Sequence, residues 1–271
     1  MVTALAMSTV HFAVTVLSAT ALLAFVFRRP PVPVIKSFFV GLRRNPGMRS
    51  VTGAFVLLVA AHVFLVVIQN KFSFGGFCRM TSGLSVLEAR THEFAFGIPS
   101  FLNYVFCFAY FFLFPALPLM LCPVLDFTNR CGEYIDFFVA MDLCLAACLV
   151  FYVLFEANEV WTEFPGVPLF SRGGLHTALL NMRSMNHPGN CFPSLHVTLM
   201  AITCHAAFRH GMPRLVIVVV PLAFLVVLST VCLVVHWYAD VAAGTALGLA
   251  CSFAARYLEL GGADRASAVE E

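Results

Sequence analysis

The chain alternates long apolar runs with short polar or basic connections. A helix needs about 20 mostly apolar residues to cross a bilayer's hydrocarbon. Runs of that kind lie near residues 3–27, 51–69, 98–122, 137–156, 194–208, 214–235 and 239–257. The pattern predicts an all-α fold, a polytopic transmembrane helical bundle of about seven spans. No basic segment precedes the first run, which is longer than a signal-peptide core, so it reads as a retained helix. Pro115 and Pro118 fall inside the third run and predict a kink there.

The connections orient the bundle. Arg28, Arg29, Lys36, Arg43, Arg44 and Arg49 crowd the first connection without an acidic residue, which assigns it to the cytosol and the N-terminus to the other side. Alternation from there puts Arg209, Arg214 and the tail beyond Arg256 in the cytosol too. Residues 30–44 mix Val, Ile and Phe with Lys and Arg, fitting either an amphipathic stretch in the headgroup layer or a solvated linker. The polar, small residues 261–271 predict disorder. The connection 157–193, polar and rich in Gly, Pro, Asn and His, is of the length that carries function.

Composition supports the class and removes others. With 61% hydrophobic and 11% charged residues the chain has too little polar surface for a soluble globule. A net charge of +2, with its basic residues dispersed among loops, gives no nucleic-acid-binding face. Of ten cysteines, Cys107, Cys144, Cys148, Cys204, Cys232 and Cys251 lie in apolar runs as small packing residues. Cys78 and Cys191 both fall on the non-cytosolic side, where a disulfide between them is chemically allowed. No Cys-x-x-Cys pair and no zinc-type Cys/His spacing occurs, so neither metal nor cofactor is expected.

Four polar residues recur at the outer boundary: His196 in Pro193-Ser194-Leu195-His196, then Ser229, His236 and Asp240. On a continuous helix the offsets of seven and four put the last three on one stripe, where Asp240 can hold the His236 imidazole. Pro193 and Ser194 read as a helix entry with Ser194 as N-cap, and the amides of that first turn form a phosphate cradle beside His196. A neutral imidazole is a competent nucleophile toward phosphorus, a carboxylate fixes its tautomer, and a second imidazole can protonate the leaving oxygen. Arg172 and Arg183, on the same outer connection, are either cationic donors to the phosphate or interfacial arginines contacting headgroups.

These residues resemble the type 2 phosphatidic acid phosphatase (PAP2) superfamily, whose second motif reads Pro-Ser-Gly-His and whose third reads Ser-Arg, five residues, His, three residues, Asp. Here the stretches are Asn190-Cys191-Phe192-Pro193-Ser194-Leu195-His196 and Ser229-Thr230 through His236-Trp237-Tyr238-Ala239-Asp240, followed by Gly244. Leu195 replaces the motif glycine, Thr230 stands where phosphatases carry an arginine, and no Lys, six residues, Arg-Pro motif precedes them. The form is closer to the branch of inositol phosphorylceramide and sphingomyelin synthases. The resemblance implies a six-helix core over residues 51–257, with residues 1–50 an added helix and basic linker and residues 258–271 a cytosolic tail. It implies His236 as nucleophile, His196 as acid and base, Asp240 as support, and Ser194 and Ser229 near the phosphate. The implied partners are a phospholipid donor and a lipid alcohol acceptor, or water in a phosphatase.

A seven-helix receptor or transporter shares this topology, and the boundary-placed His/His/Asp set argues against it. Asp142 is an ionisable residue at membrane depth, either functional or facing a partner such as Asn103. His11, His62 and His205 lie in apolar stretches and read as packing histidines, while His176 and His187 share the outer connection with open roles. Glu156, Glu159 and Glu163 read as an exposed acidic loop, or as contacts to a polyol or amine headgroup.

Overall fold

The structure is a computed structural model that describes residues 2–72, 76–90, 93, 98–128, 130–164 and 187–269. It is an all-α bundle of an integral membrane protein, with six helices long and apolar enough to cross a bilayer. They are α1 (Val2–Phe27), α3 (Pro46–Phe72), the broken helix α5 (Ser100–Phe108) to α6 (Phe114–Phe127), α7 (Cys131–Leu154), α10 (Pro213–Cys232) and α11 (Tyr238–Val269). The fifth expected run, 194–208, forms α9 (Leu195–His210), which is only 16 residues and about 24 Å long at 1.5 Å per residue. α9 lies among α7, α10 and α11, so protein rather than lipid covers it and its length need not match the hydrocarbon.

Local sequence sets these ends. Ser194 Oγ accepts from the Val197 amide at 3.4 Å to cap α9. Gly211, left-handed at φ 72°, closes α9, and Pro213 starts α10 two residues later. The kink expected at Pro115 takes the form of a π-helical segment, Ala109–Leu113, between α5 and α6. Pro115 has no N–H for the Phe111 carbonyl four residues before it, and His11 of α1 meets that oxygen instead, at 2.7 Å through Nε2.

The core runs through α6, α7, α9 and α10, where Leu117, Met120, Leu121, Tyr134, Met200 and Leu215 are fully buried. Two glycines let α11 approach α9. A Cβ on Gly244 would stand 2.7 Å from the Ser194 carbonyl oxygen, and one on Gly248 would stand 2.5 Å from that of Thr198.

Residues 30–44 form a helix rather than a solvated linker. In α2 (Val32–Arg44), Val34, Ile35, Phe38 and Leu42 turn one face onto the bundle. α1 is integrated as well, with Ala19, Leu23 and Val26 in the same core as α6. Where composition predicts disorder from residue 261, the backbone of α11 continues helical to Val269, through good helix formers such as Ala and Arg.

At the site's end of the bundle the connections are tied together. Strands β1 (Cys78–Arg79) and β2 (Phe155–Glu156) pair in parallel, Ala157 bridges to Asn190, and the short helices α4 (Thr81–Leu87) and α8 (Val160–Glu163) lie alongside. At the opposite end, Arg209 pairs with Asp136 and His210 with Glu133, joining α9 to α7.

Candidate functional site

The site is assembled at the junction of α9 and α11. The Ser194 amide donates to the Asp240 carbonyl at 3.2 Å, which fastens the start of one helix to the first turn of the other. Tyr152 of α7 holds the same entry by donating its hydroxyl to the Pro193 carbonyl at 3.1 Å. Gln69 of α3 and Asn190 exchange two amide hydrogen bonds, at 2.9 and 2.7 Å, and so anchor the connection just ahead of α9.

The chain from Ser229 to Asp240 is not one continuous helix. α10 ends at Cys232, and a tight turn through Val234 at φ 57° carries the chain into α11. The amides of Val235 and His236 return to the Thr230 carbonyl, and Glu88 caps α11 by accepting from the Tyr238 and Ala239 amides. His236 therefore sits on the turn, and Asp240 one turn later still reaches it, with Nδ1 to Oδ2 at 3.3 Å. That Oδ2 also accepts from the Trp237 amide at 2.9 Å and from the Cys191 thiol at 2.8 Å. Ser229, fully buried within α10, donates its hydroxyl to the Val226 carbonyl one turn back at 2.6 Å and does not line the cavity.

His196 projects from the first turn of α9 and is held between two rings, stacked on Tyr110 at 4.2 Å and against Phe114 at 4.1 Å. Its centroid lies 5.9 Å from that of His236. The three residues expected to meet do so. With Nδ1 of His236 on the carboxylate, Nε2 is the ring edge left for chemistry.

Both histidines line a cavity of about 370 Å³. Its wall includes Tyr110, Phe114 and Leu195, and four polar residues that sequence reasoning missed or left open: His11, His62, Glu159 and His187. Glu159 is 3% exposed and accepts from the Trp161 indole at 2.6 Å, so it is a buried carboxylate beside the histidines and not part of an exposed loop. Its position next to an indole donor two residues on was the available signal. His187 accepts the Gly189 amide at Nδ1, and burial pushes its pKa below the ordinary value despite the opposing pull of Glu156.

The fold also gathers ligand atoms that sequence spacing does not. Cys191 Sγ, His236 Nδ1 and Asp240 Oδ2 lie within 4.8 Å of one another, all buried, and form the group among the described residues that could hold a metal ion. In the structure they are hydrogen-bonded to each other, with Sγ and Nδ1 at 3.1 Å. The disulfide considered for Cys78 and Cys191 is not formed: Cys191 is spent on this cluster, and Cys78 is an exposed free thiol. Arg172, Arg183 and His176 lie outside the described residues. Asp142 makes no bond to Asn103, and its Oδ1 is buried without a partner among the described residues. His205 stands apart at the other end of α9, edge-on to Phe253. No protein-family model, curated protein or solved structure matches the chain.

Proposed function

We propose that the protein is a membrane lipid phosphotransferase that moves a phospho-headgroup between lipids through a phospho-histidine, as the synthase-like branch of the PAP2 superfamily does. The observation that carries this reading is the meeting of His196 and His236 at one cavity, with His236 Nδ1 turned to the fully buried Asp240 carboxylate. The site faces the non-cytosolic side.

In the first half-reaction Nε2 of His236 attacks phosphorus, and the bond from phosphorus to the donor's leaving oxygen breaks. His196, protonated, gives its proton to that oxygen. Asp240 keeps the proton of His236 on Nδ1 and offsets the positive charge of the phosphorylated ring. In the second half-reaction the acceptor hydroxyl loses its proton to His196 as its oxygen attacks phosphorus, and the pair of the breaking N–P bond returns to Nε2. Arg172 and Arg183, on the connection that precedes α9 in sequence, are the candidate donors to the phosphate oxygens in this proposal.

The test uses purified protein in vesicles with a phospholipid labelled in its phosphate, with and without a ceramide or diacylglycerol. Acceptor-dependent labelled lipid is the expected product; release of phosphate alone makes the protein a phosphatase instead. His236→Ala and His196→Ala are expected to lower turnover by roughly 10² to 10⁴ or more. Folded variants that turn over like wild type would return the chain to the receptor or transporter class.

A further inference from the structure

The wall of the same cavity carries two imidazoles that this mechanism does not use. His62 of α3 is pinned by Nδ1 to the Leu58 carbonyl at 3.0 Å and lies edge-on to the Tyr152 ring. His11 of α1 is pinned by Nε2 to the Phe111 carbonyl and edge-on to Phe112. A ring nitrogen facing a carbonyl oxygen must carry the hydrogen, so in each neutral ring the other nitrogen holds a lone pair. For His62 that nitrogen is Nε2, which is buried and has no hydrogen-bond partner among the described residues.

We infer that the His62 side of the cavity is the binding subsite for the acceptor, and that Nε2 of His62 accepts a hydrogen bond from the secondary hydroxyl of a bilayer-borne lipid diol such as a ceramide, leaving the primary hydroxyl to attack phosphorus and give its proton to His196. This deepens the proposed function and rests on it.

Charge and hydrogen-bonding chemistry choose the occupant. A neutral ring whose unspent nitrogen carries a lone pair suits a group with O–H or N–H to give and disfavours a phosphodiester, which has only acceptor oxygens. The phosphate therefore belongs with His196 and His236, and the second hydroxyl of the acceptor with His62. A buried nitrogen left without a partner gains most from a ligand that supplies one.

Access points to the bilayer as the source. α1 packs on α6 and α10, whereas α3 packs on α7 and α2, and the cavity spans the seam between α1 and α3. Val63, next to His62, lines the cavity and is 60% exposed on the lipid-facing surface of α3. Val66, Phe111 and Phe114 continue the apolar wall inward, which suits the alkyl chain behind a hydroxyl rather than water.

The experiment follows the two half-reactions separately in wild type, His62→Phe and His62→Gln, reading acid-labile label on the protein and label transferred to a ceramide. His62→Phe keeps the ring's bulk and removes the acceptor nitrogen. It is expected to raise the KM for ceramide, and to lower transfer roughly 10- to 100-fold more than it lowers formation of labelled protein. His62→Gln, which restores an acceptor oxygen, recovers part of the loss. A second arm needs no variant: the same ceramide methylated on its secondary hydroxyl alone, with no hydrogen there to donate, competes roughly tenfold or more less well than unmodified ceramide. Equal competition by the ether, or a His62→Phe protein whose two half-reactions fall together, overturns the acceptor subsite. Absence of labelled wild-type protein and of labelled lipid would instead overturn the phosphotransferase reading.

Discussion

Asp240 gathers a backbone amide, a thiol and an imidazole on a single carboxylate oxygen, and this sets the tautomer of the ring that we propose as nucleophile. An amide side chain there can turn its NH₂ toward Nδ1, which moves the ring hydrogen to Nε2 and removes the attacking lone pair. Asp240→Asn is accordingly expected to lose on the order of 10³ to 10⁴ in kcat with little change in KM, as read by initial rates on a labelled phospholipid. His187 gives a pH-dependent counterpart. Burial lowers its pKa below the ordinary 6.5, so the unfolded chain takes up this proton before the folded one does. The stability held by the bond from the Gly189 amide to Nδ1 is fully present above pH 6.5 and is lost as pH falls toward the lowered value. Hydrogen exchange at the Gly189 amide is expected to be slower at pH 8 than at pH 5, relative to amides elsewhere in the same chain, and His187→Gln to remove that difference.

Among the elements, the α9 and α11 pair matters most to the site, because its crossing sets how far His196 stands from His236. Gly248→Ala puts a methyl 2.5 Å from the Thr198 carbonyl oxygen, and α9 has to give way. The expected cost is about 1–3 kcal/mol of stability, seen as a lowered melting temperature, with a fall in turnover as the rings separate. Gly53→Ala on α3, with nothing within 4 Å of the new methyl, is expected to leave stability unchanged or raise it slightly. The helices were legible because membrane-length apolar runs leave few alternatives, and Ser194 and the His236 to Asp240 spacing were legible because both act over one helical turn. The turn at Val234 was not, since an apolar run cannot announce a left-handed residue inside it. His11, His62 and Glu159 were not legible as a group either: each reads alone as a packing histidine or a loop acid, and only the packing of α1, α3 and α7 brings them to one cavity.

At the scale of the whole molecule, the main arginine clusters lie at the end of the bundle opposite the candidate site, whose own end carries Lys71, Arg79 and Arg90 among the described residues. α2, with Arg43 and Arg44 in its last turn, Arg130 before α7, and Arg209 at the end of α9 share one end. The close of α3, the close of α7 and the start of α9 share the other. Basic connections are retained in the cytosol, so on this separation we propose that the cavity meets the non-cytosolic leaflet. Cys78 reports on that face directly: it follows α3, pairs with Phe155 at the end of α7, and is the one exposed thiol of the ten cysteines. In sealed vesicles of known sidedness, a membrane-impermeant maleimide is expected to label the protein from the non-cytosolic side alone, and Cys78→Ser to remove the label. Labelling of Cys78 from the cytosolic side would invert the bundle, place His196 and His236 against the cytosolic leaflet, and require the acceptor alcohol to be drawn from that leaflet.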